Sequence, residues 1–208
     1  MLELFTSQGC SDCPPADALL GEFARRPGVV ALAWHIDYWD HLGWRDPFAS
    51  RAATERQKAY ARQLGQIVFT PALVIDGAVM VVGSRRPEIE AAMANAAPLP
   101  VSVTLTRTQA GLTADIAGAE GPVRVLFAAY NPERATEVGA GENQGARLRE
   151  YRIVRETRTL AEPAPGLDPG VYGAPRRFTL PATALGQGAI VLVQSADLRV
   201  LGAADQPP

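Results

Sequence analysis

Leu2-Glu3-Leu4-Phe5-Thr6-Ser7-Gln8-Gly9-Cys10-Ser11-Asp12-Cys13-Pro14-Pro15-Ala16-Asp17-Ala18-Leu19-Leu20-Gly21-Glu22-Phe23 is the stretch on which the fold turns. Its apolar opening, residues 2–6, ends in Ser7-Gln8-Gly9 and reads as a strand followed by a turn. Pro14 and Pro15 then stand at the first helical positions, where a missing N–H costs nothing. Ala16, Leu19, Leu20 and Phe23 recur at helical spacing and face a core until Pro27-Gly28 stops the helix. Residues 29–36 are a nearly continuous apolar run, the pattern of a strand covered on both faces. Strand, helix, strand predicts a right-handed crossover with both strands parallel and ending at one rim. Cys10 follows the first strand, and Asp37, Tyr38, Trp39, His41 and Trp44 follow the second. Open α/β sheets bind ligands at that rim.

Further along, Asp46-Pro47 predicts an N-cap with proline at the first helical position, opening a helix over residues 49–64 that Gly65 closes. Residues 72–75 and 79–82 predict a hairpin around Asp76-Gly77. A last helix over residues 87–95 leads to Pro98-Leu99-Pro100, a linker. From Val101 onward the pattern alternates with period two between Gly-rich turns, which means antiparallel strands. They are expected at residues 101–105, 112–116, 123–130, 147–159, 177–180 and 189–194, with a long surface loop at 161–175. The expected organisation is an α/β domain over residues 1–97 and an all-β antiparallel, sandwich-like domain over 101–208.

The 208 residues are 47% hydrophobic and 20% charged, enough apolar surface for a packed core. A formal net charge of -2 and the absence of a long basic run argue against a nucleic-acid partner. No stretch approaches the roughly 18 to 20 apolar residues of a membrane-spanning helix. Strand-like sequence begins at Leu2 with no signal-peptide pattern before it, so a cytoplasmic protein or a trimmed, mature form is expected. Nothing in the pattern fixes an oligomeric state.

Cys10-Ser11-Asp12-Cys13 carries the sharpest chemistry. A C-x-x-C at a helix N-terminus sets the first sulfur where unpaired N–H groups and the helix dipole favour its thiolate. The second, one turn on, can attack a mixed disulfide and release the partner. Cys10 is then the nucleophile and Cys13 the resolver, acting on a protein or small-molecule disulfide or thiol with no cofactor. Asp12 is expected to raise the Cys10 pKa against the helix effect, whereas neutral Ser11 is not. Two alternatives stay open: a copper or zinc binder or chaperone using the cysteines with His41 or His35, and a non-enzymatic binding module whose cysteines form a structural disulfide. Thr70-Pro71 adds a proline at the entry of a strand, where a cis bond is tolerated. His35, on a strand face shared with Asp37, reads first as a core histidine; Trp39 and Trp44 read either as a recognition surface or as core plugs. Glu142 and Asn143, between Gly139 and Gly145, predict a tight turn of structural role.

The order strand, C-x-x-C helix, strand, helix, Thr-Pro, hairpin, helix resembles the thioredoxin superfamily in its glutaredoxin-like minimal topology. That resemblance implies that Pro71 is cis and lies against the cysteines, with Thr70 offering backbone groups to an extended substrate. Two departures stand out. Gly9 occupies the place of the usual tryptophan, and Leu4 that of the buried aspartate that accepts a proton, leaving Asp37 or His35 as candidate shuttles. More narrowly, residues 3–17, His35-Ile36-Asp37-Tyr38-Trp39 and Gly141-Glu142-Asn143 resemble the bacterial DUF1223 family. The resemblance implies a secreted or periplasmic protein with a thioredoxin-like domain followed by a β domain, and assigns no activity.

Overall fold

Proline at its start and apolar spacing along its length make Pro14–Phe23 the first helix, α1, set between two strands, β1 (Leu2–Thr6) and β2 (Ala31–His35). This is a computed structural model, describing residues 1–162 and 174–208. The chain forms two compact units, one of Met1–Ala96 with Asn131–Val154 and the other of Ala97–Tyr130 with Arg155–Pro208.

In the first unit β1 and β2 run parallel, with Leu4 opposite Ala33. β1 pairs antiparallel with β3 (Ala72–Ile75), which turns back as β4 (Val79–Val82). The turn residues Asp76 and Gly77 both have positive φ, 47° and 66°, as a tight hairpin of this twist requires. Alternation along β1 sends Leu2 and Leu4 into a core with Leu20, Phe23, Leu73 and Ile89. Each such side chain contributes roughly 1.5–3 kcal/mol on full burial. The opposite face carries Glu3 and Phe5 towards α2 (Arg51–Leu64), where Phe5 meets Tyr60 edge-on with ring centroids 6.0 Å apart. Arg56 reaches Glu3 through two N–H donors, at 2.6 and 3.0 Å, and Tyr60 donates its hydroxyl to the same carboxylate. A third helix, α3 (Arg86–Ala94), follows β4.

The second unit contains a three-stranded sheet of β5 (Ser102–Thr108), β6 (Gly111–Ala117) and β9 (Arg176–Thr179), in the order β5-β6-β9. It also holds β10 (Gly188–Gln194), buried along its whole length, between β11 (Val200–Gln206) and residues 124–130 of β7 (Arg124–Glu137). Its core gathers Ala114, Val125, Phe127, Val191 and Val193.

This corrects the expected fold class. The chain is not a thioredoxin-like α/β domain followed by a separate all-β antiparallel domain. It is mostly β, with one eight-stranded mixed sheet in the order β11-β10-β7-β8-β2-β1-β3-β4, the three-stranded sheet, and only three short α-helices among the described residues. The reason lies in two long strands. β7 has 14 residues and β8 (Arg147–Ala161) has 15. Residues 131–137 and 147–154 belong to the unit built on the first 96 residues, where Ile153 pairs in parallel with Ala33. A period-two pattern announces strands but not which sheet a distant strand joins, so β7 and β8 read as members of a second domain.

Smaller differences have local causes. Helix α2 is capped by Ser50, whose side chain accepts the Ala53 N–H at 3.2 Å, and not by Asp46, which is buried elsewhere. Strand β11 escapes notice because Gly202 and Asp205 dilute its apolar pattern. Of the loop expected at 161–175, residues 163–173 lie outside the described residues.

Candidate functional site

The turn between β1 and α1 sets the two cysteines on one another. The Cys10 N–H bonds back to the Ser7 carbonyl and the Cys13 N–H to the Cys10 carbonyl, so the loop closes a turn before the helix begins. Cys13 is the N-cap of α1, and its Sγ lies 2.6 Å from Cys10 Sγ. The two thiols are held in opposite states. The hydrogen bond from Cys13, assisted by the Thr70 hydroxyl and the Asp12 backbone N–H against the effect of burial, lowers Cys10 to about 7. The Asp12 charge opposes this, as its sign requires, but does not outweigh it. Burial above all, with Cys10 and Asp17 adding to it, holds the Cys13 thiol far above its ordinary value.

Around the pair, Thr70 and Pro71 are joined by a cis peptide bond and Pro71 is buried. Trp39, half-buried, donates its indole N–H to the Thr70 hydroxyl at 2.8 Å. Its Cβ lies 3.1 Å from an ideal Cβ at residue 9, a close approach that leaves little room there for more than glycine. Ser11 and Asp12 are exposed. Asp37 is occupied by Thr54, which takes its N–H at 3.1 Å and donates to its carboxylate. His41 is exposed and its Nδ1 lies 2.6 Å from the Tyr38 carbonyl. Neither histidine joins the sulfurs, and among the described residues no group of three or more His, Cys, Asp or Glu side chains is placed to hold a metal ion.

The loop after β7 straps the cysteine turn. Asn143 donates from Nδ2 to the carbonyls of Gln8 and Cys10, each at 2.9 Å. Glu142 accepts the Ser11 N–H at 3.0 Å and its hydroxyl at 2.8 Å. Trp44 packs on the same loop, 3.0 Å from an ideal Cβ at Gly139, and donates to Gln8 Oε1 at 2.9 Å. Cys10 exposes 2% of its surface and Cys13 none.

Beneath the cysteines lies a cluster of buried ionisable groups. His35 Nδ1 is 2.7 Å from Asp46 Oδ2, and Asp46 also accepts the N–H of Gln8 at 2.9 Å. Gln8 Nε2 donates to Glu150 at 2.7 Å. Burial would push the His35 imidazolium down, but the Asp46 carboxylate, with Glu150 and Asp17, lifts it to about 9. Asp46 is lowered in spite of burial, because His35 and two backbone N–H groups favour its charge. Burial raises Glu150 and, more strongly, Asp17, whose Oδ2 accepts the Thr6 hydroxyl at 3.1 Å.

Thr6, Gln8, Asp17, Asp46 and Glu150 were not among the expected site residues. Asp17 had a signal. Four residues after Cys13, it stands on the helix face that also carries Ala16 and Leu20, and an acid among apolar neighbours has to be paired or neutral. Glu150 had none, because an alternating strand reads the same whichever sheet it enters. Glu142 and Asn143, expected as a turn bonding its own backbone, bond another loop.

A family profile described as "Protein of unknown function (DUF1223)" matches residues 1–194. A crystal structure of an Agrobacterium tumefaciens protein, a structural genomics target, is similar at a TM-score of 0.81 and 30% identity, covering 99% of this chain and 92% of that one. The mixed, mostly β arrangement is thus similar over nearly the whole length. No curated protein matches the chain.

Proposed function

Because this chain belongs to the DUF1223 family, which brings no activity with it, we propose from the site itself that it is a thiol-disulfide oxidoreductase. Cys10 attacks a disulfide of a protein or small-molecule partner, and Cys13 resolves the mixed disulfide. The observation that carries the reading is the geometry of the pair: Cys13, the N-cap of α1, sets its Sγ 2.6 Å from Cys10 Sγ, and that contact together with burial pushes the two thiols in opposite directions. Near neutral pH such a pair presents one nucleophile and keeps the second thiol in reserve. Thr70 supports the reacting sulfur and Trp39 fixes Thr70. Ser11 and Asp12 contribute backbone groups, and exposed His41 borders the rim.

Access is the demanding requirement. With 2% of its surface exposed, Cys10 meets a partner only when the turn that carries it opens, and the strap of Glu142 and Asn143 ties that turn's backbone down. The test is mass spectrometry with alkylation across glutathione buffers of graded potential. A reversible two-electron transition, lost in Cys10→Ser, is expected; a pair locked in one state at every potential overturns the reading. We place the exchange in the periplasm or outside the cell, where a disulfide persists. Cell fractionation tests that assignment, and recovery in the cytoplasm alone refutes it.

A further inference from the structure

Gln8, two residues before Cys10, is wholly buried and engages both ends of its side-chain amide as well as both of its backbone polar groups. Its backbone N–H donates to Asp46 Oδ2 and its carbonyl accepts Asn143 Nδ2, each at 2.9 Å. Its Oε1 accepts the Trp44 indole N–H at 2.9 Å, and its Nε2 donates to Glu150 Oε2 at 2.7 Å. An indole N–H can only donate, so the amide oxygen must face Trp44 and the amide nitrogen Glu150. The partners come from three separate stretches of chain: Trp44 and Asp46 from the loop between β2 and α2, Asn143 from the strap, Glu150 from β8. The N–H groups of Gly9 and Cys10, by contrast, are spent inside the turn on Ser7. Residue type matters here. Glutamate at position 8 would set a second carboxyl against Glu150, and methionine of the same reach would leave Trp44 and Glu150 unmatched.

We propose that Gln8 is the positioning residue of the exchange site: by tying three stretches of chain to the turn, it sets how often the Cys10 sulfur is presented to a partner and how closely Cys13 faces it afterwards. The inference rests on the exchange reading above and adds the residue that controls the balance between its two steps. Gln8 acts through the backbone of residues 8–10 and not on the sulfur chemistry itself. A firm turn makes the first step, attack by Cys10 on an outside disulfide, infrequent, because that sulfur is 2% exposed. The same firmness makes the second step fast, because a Cys13 whose Sγ rests 2.6 Å from Cys10 Sγ is an intramolecular nucleophile already in place. Loosening the turn must therefore move the two steps in opposite directions. Lower overall stability by itself does not slow the second step in chains that remain folded.

The test uses 5,5′-dithiobis(2-nitrobenzoate) as the disulfide. The reduced full chain releases one thionitrobenzoate as Cys10 attacks and a second as Cys13 displaces it from the mixed disulfide, and stopped flow separates the two. Gln8→Met keeps the reach of the side chain and removes both amide bonds. Its first release is expected to be about 30-fold faster, the factor two lost neutral hydrogen bonds allow, and its second about 10-fold slower. Trp44→Phe removes one of those bonds at the half-buried rim and keeps an aromatic ring. It is expected to move both releases in the same directions, the first by about 5-fold, which keeps the test decisive should Gln8→Met fail to fold. A wild-type chain that releases fewer than two equivalents defeats the exchange reading. Two releases whose rates in the folded variants match the wild type, or change in the same direction, defeat the positioning role alone.

Discussion

Replacing Asn143 by Ala tests whether the strap gates the reactive sulfur. Its amide donates two hydrogen bonds of 2.9 Å, to the Gln8 and Cys10 carbonyls. Both are neutral and half-buried, so about 1 kcal/mol apiece is a fair net value. Losing both weakens closure by about 2 kcal/mol, an increase of about 30-fold in the open fraction. Glu142 still holds Ser11 in the variant, so the strap is loosened and not lost. In a Cys13→Ser background, which leaves one sulfur to label, iodoacetamide should modify Cys10 faster by about that factor, because the rate follows the open population when reclosing is fast. The urea midpoint should move far less than global unfolding would demand. A folded Asn143→Ala protein that is alkylated at its parent's rate would refute strap gating, and so would a parent already alkylated as fast as a free thiol.

Alkylation of Cys10 in the wild type should be half-maximal near pH 7, against about 8.5 for an ordinary thiol, and Cys13→Ala should shift it upward, since the Cys13 hydrogen bond is the main cause of the lowering. Arg56→Met leaves the Glu3 carboxylate buried beside Tyr60 without its cation and should cost about 3 kcal/mol in urea unfolding; a change under about 1 kcal/mol contradicts the pairing. His35 binds its proton more tightly folded than unfolded, so its contribution is complete below about pH 6.5 and disappears as pH rises through about 9. Raised Asp17 and Glu150 act in the same direction, so stability should decline towards alkaline pH, with a shallower decline in His35→Gln measured by thermal melting.

The elements nearest the cysteines were legible because each rests on local chemistry. Pro14 and Pro15 start a helix, Asp76-Gly77 turns a hairpin, and unbroken apolar runs make β2 and β3. The sheet as a whole was not legible, since membership of β8 depends on a parallel pairing between Ala33 and Ile153, 120 positions apart by number, with no turn to fix its register. The same long-range step hid half of the site. Cys10, Cys13, Thr70 and Trp39 announce themselves by type and spacing, but Glu150 and the strap gain their roles only once residues 131–154 fold against the first 96. A chemical consequence follows. A C-x-x-C turn alone, at the mouth of a sheet, would leave its first sulfur open to solvent. Here a second segment ties down the backbone of Gln8, Cys10 and Ser11, and the same segment continues into the strand that brings Glu150 beneath His35. Holding the Cys10 turn and setting the charge of the buried cluster are therefore coupled through one stretch of chain. Strap opening measured by Cys10 alkylation should then respond to Glu150→Gln, although Glu150 touches neither cysteine; equal alkylation rates in that variant and the wild type would separate the two functions.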